Sequence, residues 1–248
     1  VAEPEQRPAF YALRPGGWRD LVTVLHPPYT LWHVSYVAIG AAAAPQVHAD
    51  RLLAALAAFF LAVGIGAHSL DELHGRPLGT HLSRRALLAL AAFGLGGALA
   101  IGVAGIFVVS ATLAPLVVAG VFLVLAYNLE LFGGRFHTDF WFAAAWGAFP
   151  ALTGWWSNAL ALSSLRGATA ATAAVLACFW LSVAQRRLST PVRELRRRTV
   201  AVSGEQRLAD GTIRRLGASS LSGPLDDALR ALSVAVPLLA IAVVALRL

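Results

Sequence analysis

Methionine and lysine are absent from this 248-residue chain, cysteine occurs once, and only 13% of the residues are charged. A lone thiol, Cys178, forms no intrachain disulfide and gives a metal no cysteine pair, so disulfide-stapled and zinc-ribbon folds are excluded. Lying inside an apolar run, it reads as a packed core residue. Neither a glycine-rich phosphate loop nor a serine-nucleophile elbow is present. All twenty basic residues are arginines, a bias from which nothing functional follows. The first twenty residues lack the early apolar region of a cleavable signal and carry Arg7, Arg14 and Arg19, so this segment is expected to remain attached.

What remains is apolar. Hydrophobic residues make up 58% of the chain and the mean hydropathy is +0.67, outside the range of soluble domains. Apolar runs at 29–47, 52–70, 86–104, 107–128, 138–159, 167–185 and 229–247 each approach the ~20 residues needed to cross a bilayer. The expected fold is therefore all-α: one polytopic transmembrane helix bundle of about seven spans over residues 1–248. Spans three and four read as a tight hairpin turning near 102–105, with Pro115 a tolerated kink in the fourth.

An odd number of spans places the termini on opposite sides, and the arginines then sort sharply. Only Arg51, Arg166 and Arg247 fall on the far side. By the positive-inside rule the N-terminal segment, 1–28, and an arginine-rich loop or cap, 186–227, are expected in the cytoplasm, with the chain in the cell (inner) membrane. The net charge of +7 is thus topological, and no nucleic-acid partner is implied. Within 186–227, Thr199 to Val202 and Thr212-Ile213 flank turn residues and suggest a short hairpin. Pro224-Leu225-Asp226-Asp227 reads as the start of the last helix. Trp155 and Trp156 fit an interfacial aromatic belt.

The chemistry concentrates where span two ends. In Gly66-Ala67-His68-Ser69-Leu70-Asp71-Glu72-Leu73-His74, residues 68, 71 and 72 share one helical face, with His74 just beyond. Ionisable groups at this depth are costly unless they face a cavity, a metal or a ligand. Asp71 and Glu72 suit a hard cation and the imidazoles a transition metal; pairing with Arg76, Arg84 or Arg85 is the alternative. A second polar group, Tyr127-Asn128-Leu129-Glu130 with Arg135, His137 and Asp139, falls on the same side. In span one, Tyr29, His33 and Tyr36 recur at i, i+4 and i+7, a stripe suited to lining a lipid cavity. Arg186, Arg187, Arg193 and Arg196 could hold a phosphate or anionic headgroup bidentately, or simply face acidic lipids.

Leu25-His26-Pro27-Pro28-Tyr29-Thr30, the acidic motif before Arg76-Pro77-Leu78, Tyr127 closing span four, and Trp146-Gly147-Ala148-Phe149-Pro150 give residues 20–200 a layout that resembles the UbiA superfamily of intramembrane prenyltransferases. The resemblance implies a helical bundle with a central cavity and two aspartate-rich motifs that bind Mg²⁺ and ionise a prenyl diphosphate. The chain departs from that pattern: Ala67 and Gly75 stand four residues either side of Asp71, Gln185-Arg186-Arg187 replaces the second acidic motif, and family members have nine spans. The expectation is an enzyme acting on an isoprenoid or other membrane lipid, by prenyl transfer or a related diphosphate-dependent reaction. Asp71, Glu72 and His68 would be catalytic, and Tyr29, His33, Tyr36, Arg76, Tyr127, Asn128, Arg186, Arg187 and Arg193 would hold substrate. Asp71, Glu72, His68 and His74 would bind a divalent metal, Mg²⁺ by the resemblance or zinc or iron by the histidines. The alternatives are a noncatalytic lipid-binding or accessory protein, and a UbiA fold turned to metal-dependent lipid chemistry.

Overall fold

The computed structural model describes residues 7–162 and 164–248; residues 1–6 of the expected N-terminal segment lie outside the described residues. Helices dominate. In chain order they are α1 (Trp18–Val24), α2 (Pro27–Ala42), α3 (Ala49–Phe59), α4 (His68–Leu73), α5 (Arg84–Val108), α6 (Ala114–Asn128), the short turn α7 (Leu131–Gly134), α8 (Asp139–Ala143), α9 (Phe149–Ala159), α10 (Leu165–Arg197) and α11 (Ala218–Ala245). A π-helical stretch, Phe60–Ala67, joins α3 to α4, and another, Ala144–Ala148, joins α8 to α9.

Among the described residues five helices are long and apolar enough to cross a membrane: Ala49–Leu73, Arg84–Val108, Ala111–Asn128, Leu165–Arg197 and Ala218–Ala245. At 1.5 Å per residue even the 18-residue member covers about 27 Å, close to the ~30 Å hydrocarbon core. Their outer faces carry Phe93, Phe107, Leu238 and Ile241, all exposed, a surface that suits lipid and not water. Of the other two candidate spans, α2 has 16 residues, and the continuous stretch from α8 through α9 is diluted by tryptophan, glycine and polar side chains.

The shortest of these, α2, is the hub. It packs against α9, α11 and α3, and Trp32, Tyr36, Val37 and Ala41 are fully buried. Small residues make the α2–α9 crossing close. A Cβ added at Gly40 would overlap the Ala151 carbonyl, and one at Gly154 would overlap that of Val37, so dispersion between the two backbones replaces the side-chain interdigitation of a soluble core.

Several boundaries differ from the sequence reading. α5 runs on to Val108 before turning, and Pro115 sits in the first turn of α6, where its missing N–H is harmless; it kinks nothing. α10 continues straight through Arg186, Arg187, Arg193 and Arg196 to Arg197, so these arginines ride on a helix and the connection is confined to 198–217. That connection holds an antiparallel hairpin of β1 (Gly204–Arg207) and β2 (Ile213–Leu216), shifted by a few residues from the expected strands. α11 begins at Ala218, with the Gly217 N–H donating to Ser220 Oγ at 2.8 Å, and Pro224 lies inside it.

Candidate functional site

Polar side chains from α2, α4, α10 and the loop after α6 converge on one end of the bundle, around a chamber with two lobes. The larger, about 250 Å³, is bordered by His74, Tyr127, Asn128, Glu130, His137 and Trp146. The smaller, about 140 Å³, is bordered by Tyr11, His26, Tyr29, Gln185, Arg196 and Asp226. His33, His68, Asp71, Phe142, Arg186 and Arg193 border both. The two π-helical stretches flank the chamber, placing Val63 and Ala67 on one wall and Trp146 on another; such π segments widen a helix and are frequent at functional sites.

A third cavity, about 310 Å³ and almost wholly apolar, runs between α3, α5, α6 and α9. Val63 and Trp146 line both it and the larger polar lobe. Its far end reaches Arg51 and Ser157, at the opposite end of the bundle, where Arg247 also caps the Ala44 and Pro45 carbonyls.

The charges in the chamber are unevenly paired. Arg186 Nε donates to Asp139 at 2.8 Å, with its guanidinium 5.2 Å from the Phe142 ring centroid, and Arg196 pairs with Asp226. Arg193 and Arg197, by contrast, have no carboxylate within ion-pair distance among the described residues; Arg193 donates to Thr190 Oγ1 at 3.2 Å and Arg197 to the Pro8 carbonyl at 3.4 Å. Arg193 and Arg197 are thus partly desolvated cations with no carboxylate held against them, a feature that suits an anion.

The histidines are fixed in place. His33 Nε2 lies 2.9 Å from Gln185 Oε1. His26 and His68 stack with ring centroids 4.0 Å apart, and Tyr11 OH lies 2.9 Å from His26 Nδ1. His26 ends the turn before α2 with φ 46°, a left-handed conformation unusual for a side-chain-bearing residue. Burial, reinforced by the neighbouring His68, pushes its pKa well below the usual imidazole range. Burial likewise raises the Tyr11 hydroxyl far above its usual range, with Tyr29 adding to the shift. Both rings are thus held neutral near pH 7.

The sequence-predicted residues divide into two groups. Asp71, His68, His74, Tyr29, His33, Tyr127, Asn128, Arg186 and Arg193 border the chamber. Glu72, Tyr36, Arg76 and Arg187 do not. Glu72 is fully buried and accepts three hydrogen bonds, from Leu78 N (3.0 Å), Thr80 N (2.9 Å) and Thr80 Oγ1 (2.8 Å); it anchors the 77–80 loop. Tyr36 is buried in the core as the acceptor of Trp32 Nε1. Arg76 donates to the Thr80 and Leu82 carbonyls at 2.9 and 2.6 Å, and Arg187 is exposed. Sequence reasoning missed Tyr11, Gln185 and Asp226 as chamber residues. A glutamine at the end of an apolar span was the one available signal.

The Mg²⁺ implied by the family resemblance is a poor fit. It asks for several oxygen ligands in an octahedron, whereas Glu72 is spent on a loop, Asp139 and Asp226 on arginines, and Glu130 lies 4.0 Å from His137. Among the described residues no three His, Cys, Asp or Glu side chains come together as a metal would need. This bears equally on zinc or iron at His68, Asp71, Glu72 and His74.

No family model, curated protein or solved structure matches the chain.

Proposed function

We propose that the chain is a UbiA-like integral membrane enzyme acting on an isoprenoid or related lipid with an anionic, diphosphate-like head. One observation carries this reading: a chamber holding Arg193, which has no carboxylate partner among the described residues, adjoins an apolar cleft, the two sharing Val63 and Trp146. That is the shape of an amphipathic ligand. Its head would lie against Arg193, beside the Arg186–Asp139 pair, and its chain would follow the cleft. In prenyl transfer, cleavage of the allylic C–O bond leaves negative charge on the diphosphate, which the guanidiniums would neutralise in place of metal ions. The new bond would form between the allylic carbon and the acceptor atom, and Asp71 would take the proton that atom releases. The seven helical stretches would all span the cell membrane, with the arginine-rich end and the N-terminus cytoplasmic.

Glu72, Asp139 and Asp226 are all engaged in structural contacts, which favours a second reading, a noncatalytic lipid-binding or accessory protein. The full chain in liposomes, given geranylgeranyl diphosphate and a membrane extract, separates the two. Release of inorganic diphosphate that is lost in Asp71→Asn, with the melting midpoint unchanged, supports the enzyme. Binding without release supports the accessory protein, and no binding at all overturns both readings.

A further inference from the structure

The end of the apolar cleft farthest from the chamber carries a cation that the prenyl reading leaves idle. Arg51 stands in the first turn of α3 and borders the cleft together with Thr153 and Ser157. It is half-buried, and its one hydrogen bond is long, from Nη1 to the Ser157 carbonyl at 3.5 Å. Among the described residues no carboxylate lies within ion-pair distance of it, its neighbour Asp50 included. The other two arginines of this end are placed differently. Arg247 is spent on the Ala44 and Pro45 carbonyls at 2.8 and 2.9 Å, and Arg166 is exposed and takes no part in the cleft wall.

This end also has the marks of a membrane interface. Next to Ser157, Trp156 Nε1 donates to Thr112 Oγ1 at 3.2 Å, and His48 N donates to Asn158 Oδ1 at 2.8 Å. Indole rings with one polar edge collect at headgroup depth. A guanidinium at that level, without a carboxylate, is matched in charge and geometry by a lipid phosphate.

The space behind Arg51 suits a chain. α5 lends the cleft Gly96, Gly102 and Gly105 in place of side chains, and beyond its own helix nothing lies within 4 Å of a Cβ placed at Gly96. At 1.5 Å per residue the helical run from Arg51 to Val63, where the cleft meets the larger lobe, covers about 18 Å. That is a little more than half of the ~30 Å hydrocarbon core, the depth reached by one acyl chain whose headgroup rests at the far interface. Apolar walls gain their dispersion contacts only when atoms fill the space between them.

We infer that the cleft is a binding site for an anionic phospholipid of the leaflet opposite the chamber, its phosphate on Arg51 and one acyl chain running inward to Val63 and Trp146. The inference shares the cleft with the prenyl reading but not the chamber. A lipid seated from this end excludes a prenyl chain entering from the other.

Native mass spectrometry of the delipidated full chain in detergent, titrated with dioleoyl phosphatidylglycerol or dioleoyl phosphatidylcholine, tests the inference. One saturable phosphatidylglycerol is expected, bound about tenfold tighter than phosphatidylcholine through the charged contact. Arg51→Gln should erase that preference and Arg51→Lys restore most of it. Gly96→Phe, which fills the cleft and leaves the cation, should weaken both lipids, with the melting midpoint showing that each variant is folded. Equal binding of the two lipids by the wild type, a preference that survives Arg51→Gln, or full binding by folded Gly96→Phe each overturns the site. Arg193→Gln, in the chamber, should leave phosphatidylglycerol binding unchanged. Failure of geranylgeranyl diphosphate to bind therefore removes the prenyl reading alone, and loss of the phosphatidylglycerol preference removes this site alone.

Discussion

Replacing Glu72 separates a structural carboxylate from a chemical one. Its two oxygens hold the backbone N–H groups of Leu78 and Thr80 and the Thr80 hydroxyl, and both loop residues are buried, at 3% and 5% exposure. Glu72→Ala strands these donors away from water, and each unsatisfied buried group costs about 1–3 kcal/mol. Allowing for partial relaxation of the loop, the expected loss is about 3–5 kcal/mol, at the large end for a single substitution. Glu72→Gln retains one acceptor oxygen but turns an NH₂ toward backbone donors, and should lose roughly half as much. The assay is the apparent unfolding midpoint in detergent, paired with geranylgeranyl diphosphate binding per mole of folded protein. Both variants should unfold earlier yet bind normally, whereas Asp71→Asn should fold normally and lose turnover. A Glu72→Gln protein as stable as wild type but unable to bind would refute the assignment of Glu72 to the loop and return it to the site.

Three other outcomes are expected. Gly154→Leu drives a side chain into the Val37 carbonyl on α2 and should prevent assembly of the bundle, seen as loss of the monodisperse peak on size exclusion; normal assembly would contradict the close α2–α9 crossing. His26 is held neutral in the folded state, surrounded by Tyr11, His68, His33, Arg193 and Arg197. Its pKa is depressed on folding, so the unfolded chain binds the extra proton first: stability is full above about pH 6.5, the unfolded value, and falls as pH drops below it. Melting midpoints between pH 8 and 5 should decline over the acid half, and a flat or rising profile there would contradict it. Gly96 lines the apolar cleft with open space before it, so Gly96→Phe should weaken long prenyl chains more than short ones; equal effects on geranyl and geranylgeranyl diphosphate would argue against a chain in that cleft.

Much of the bundle was legible because apolar runs of bilayer length record helices directly. Seven runs correspond to seven helical stretches, five of which meet the length and hydropathy of a span among the described residues. Boundaries at prolines were not legible. Pro115 and Pro224 look alike in sequence, yet one starts a helix and the other lies within one, because a proline's role depends on whether the preceding turn can forgo a donor. His68 and Asp71, singled out for their spacing and depth, both border the chamber. Glu72 shares their face by helical arithmetic, but the 77–80 loop folds back to claim it, a contact that periodicity does not encode. Tyr36 was misplaced for a different reason: α2 is buried on most sides, so a polar stripe along it does not identify which side holds a cavity. Asp226 belongs to the chamber only because α10 and α11 pack together there, bringing it to Arg196 across thirty positions of sequence.

Binding of geranylgeranyl diphosphate to the purified full chain, measured in EDTA and again in Mg²⁺, tests the central claim most directly, with Arg193→Gln as the comparison. If arginines hold the anionic head and the cleft takes the chain, wild type binds in EDTA and Arg193→Gln weakens binding by tenfold or more, as expected from losing a charged hydrogen bond worth about 1.5–3 kcal/mol. Binding that requires Mg²⁺, or that is indifferent to Arg193, would contradict the account.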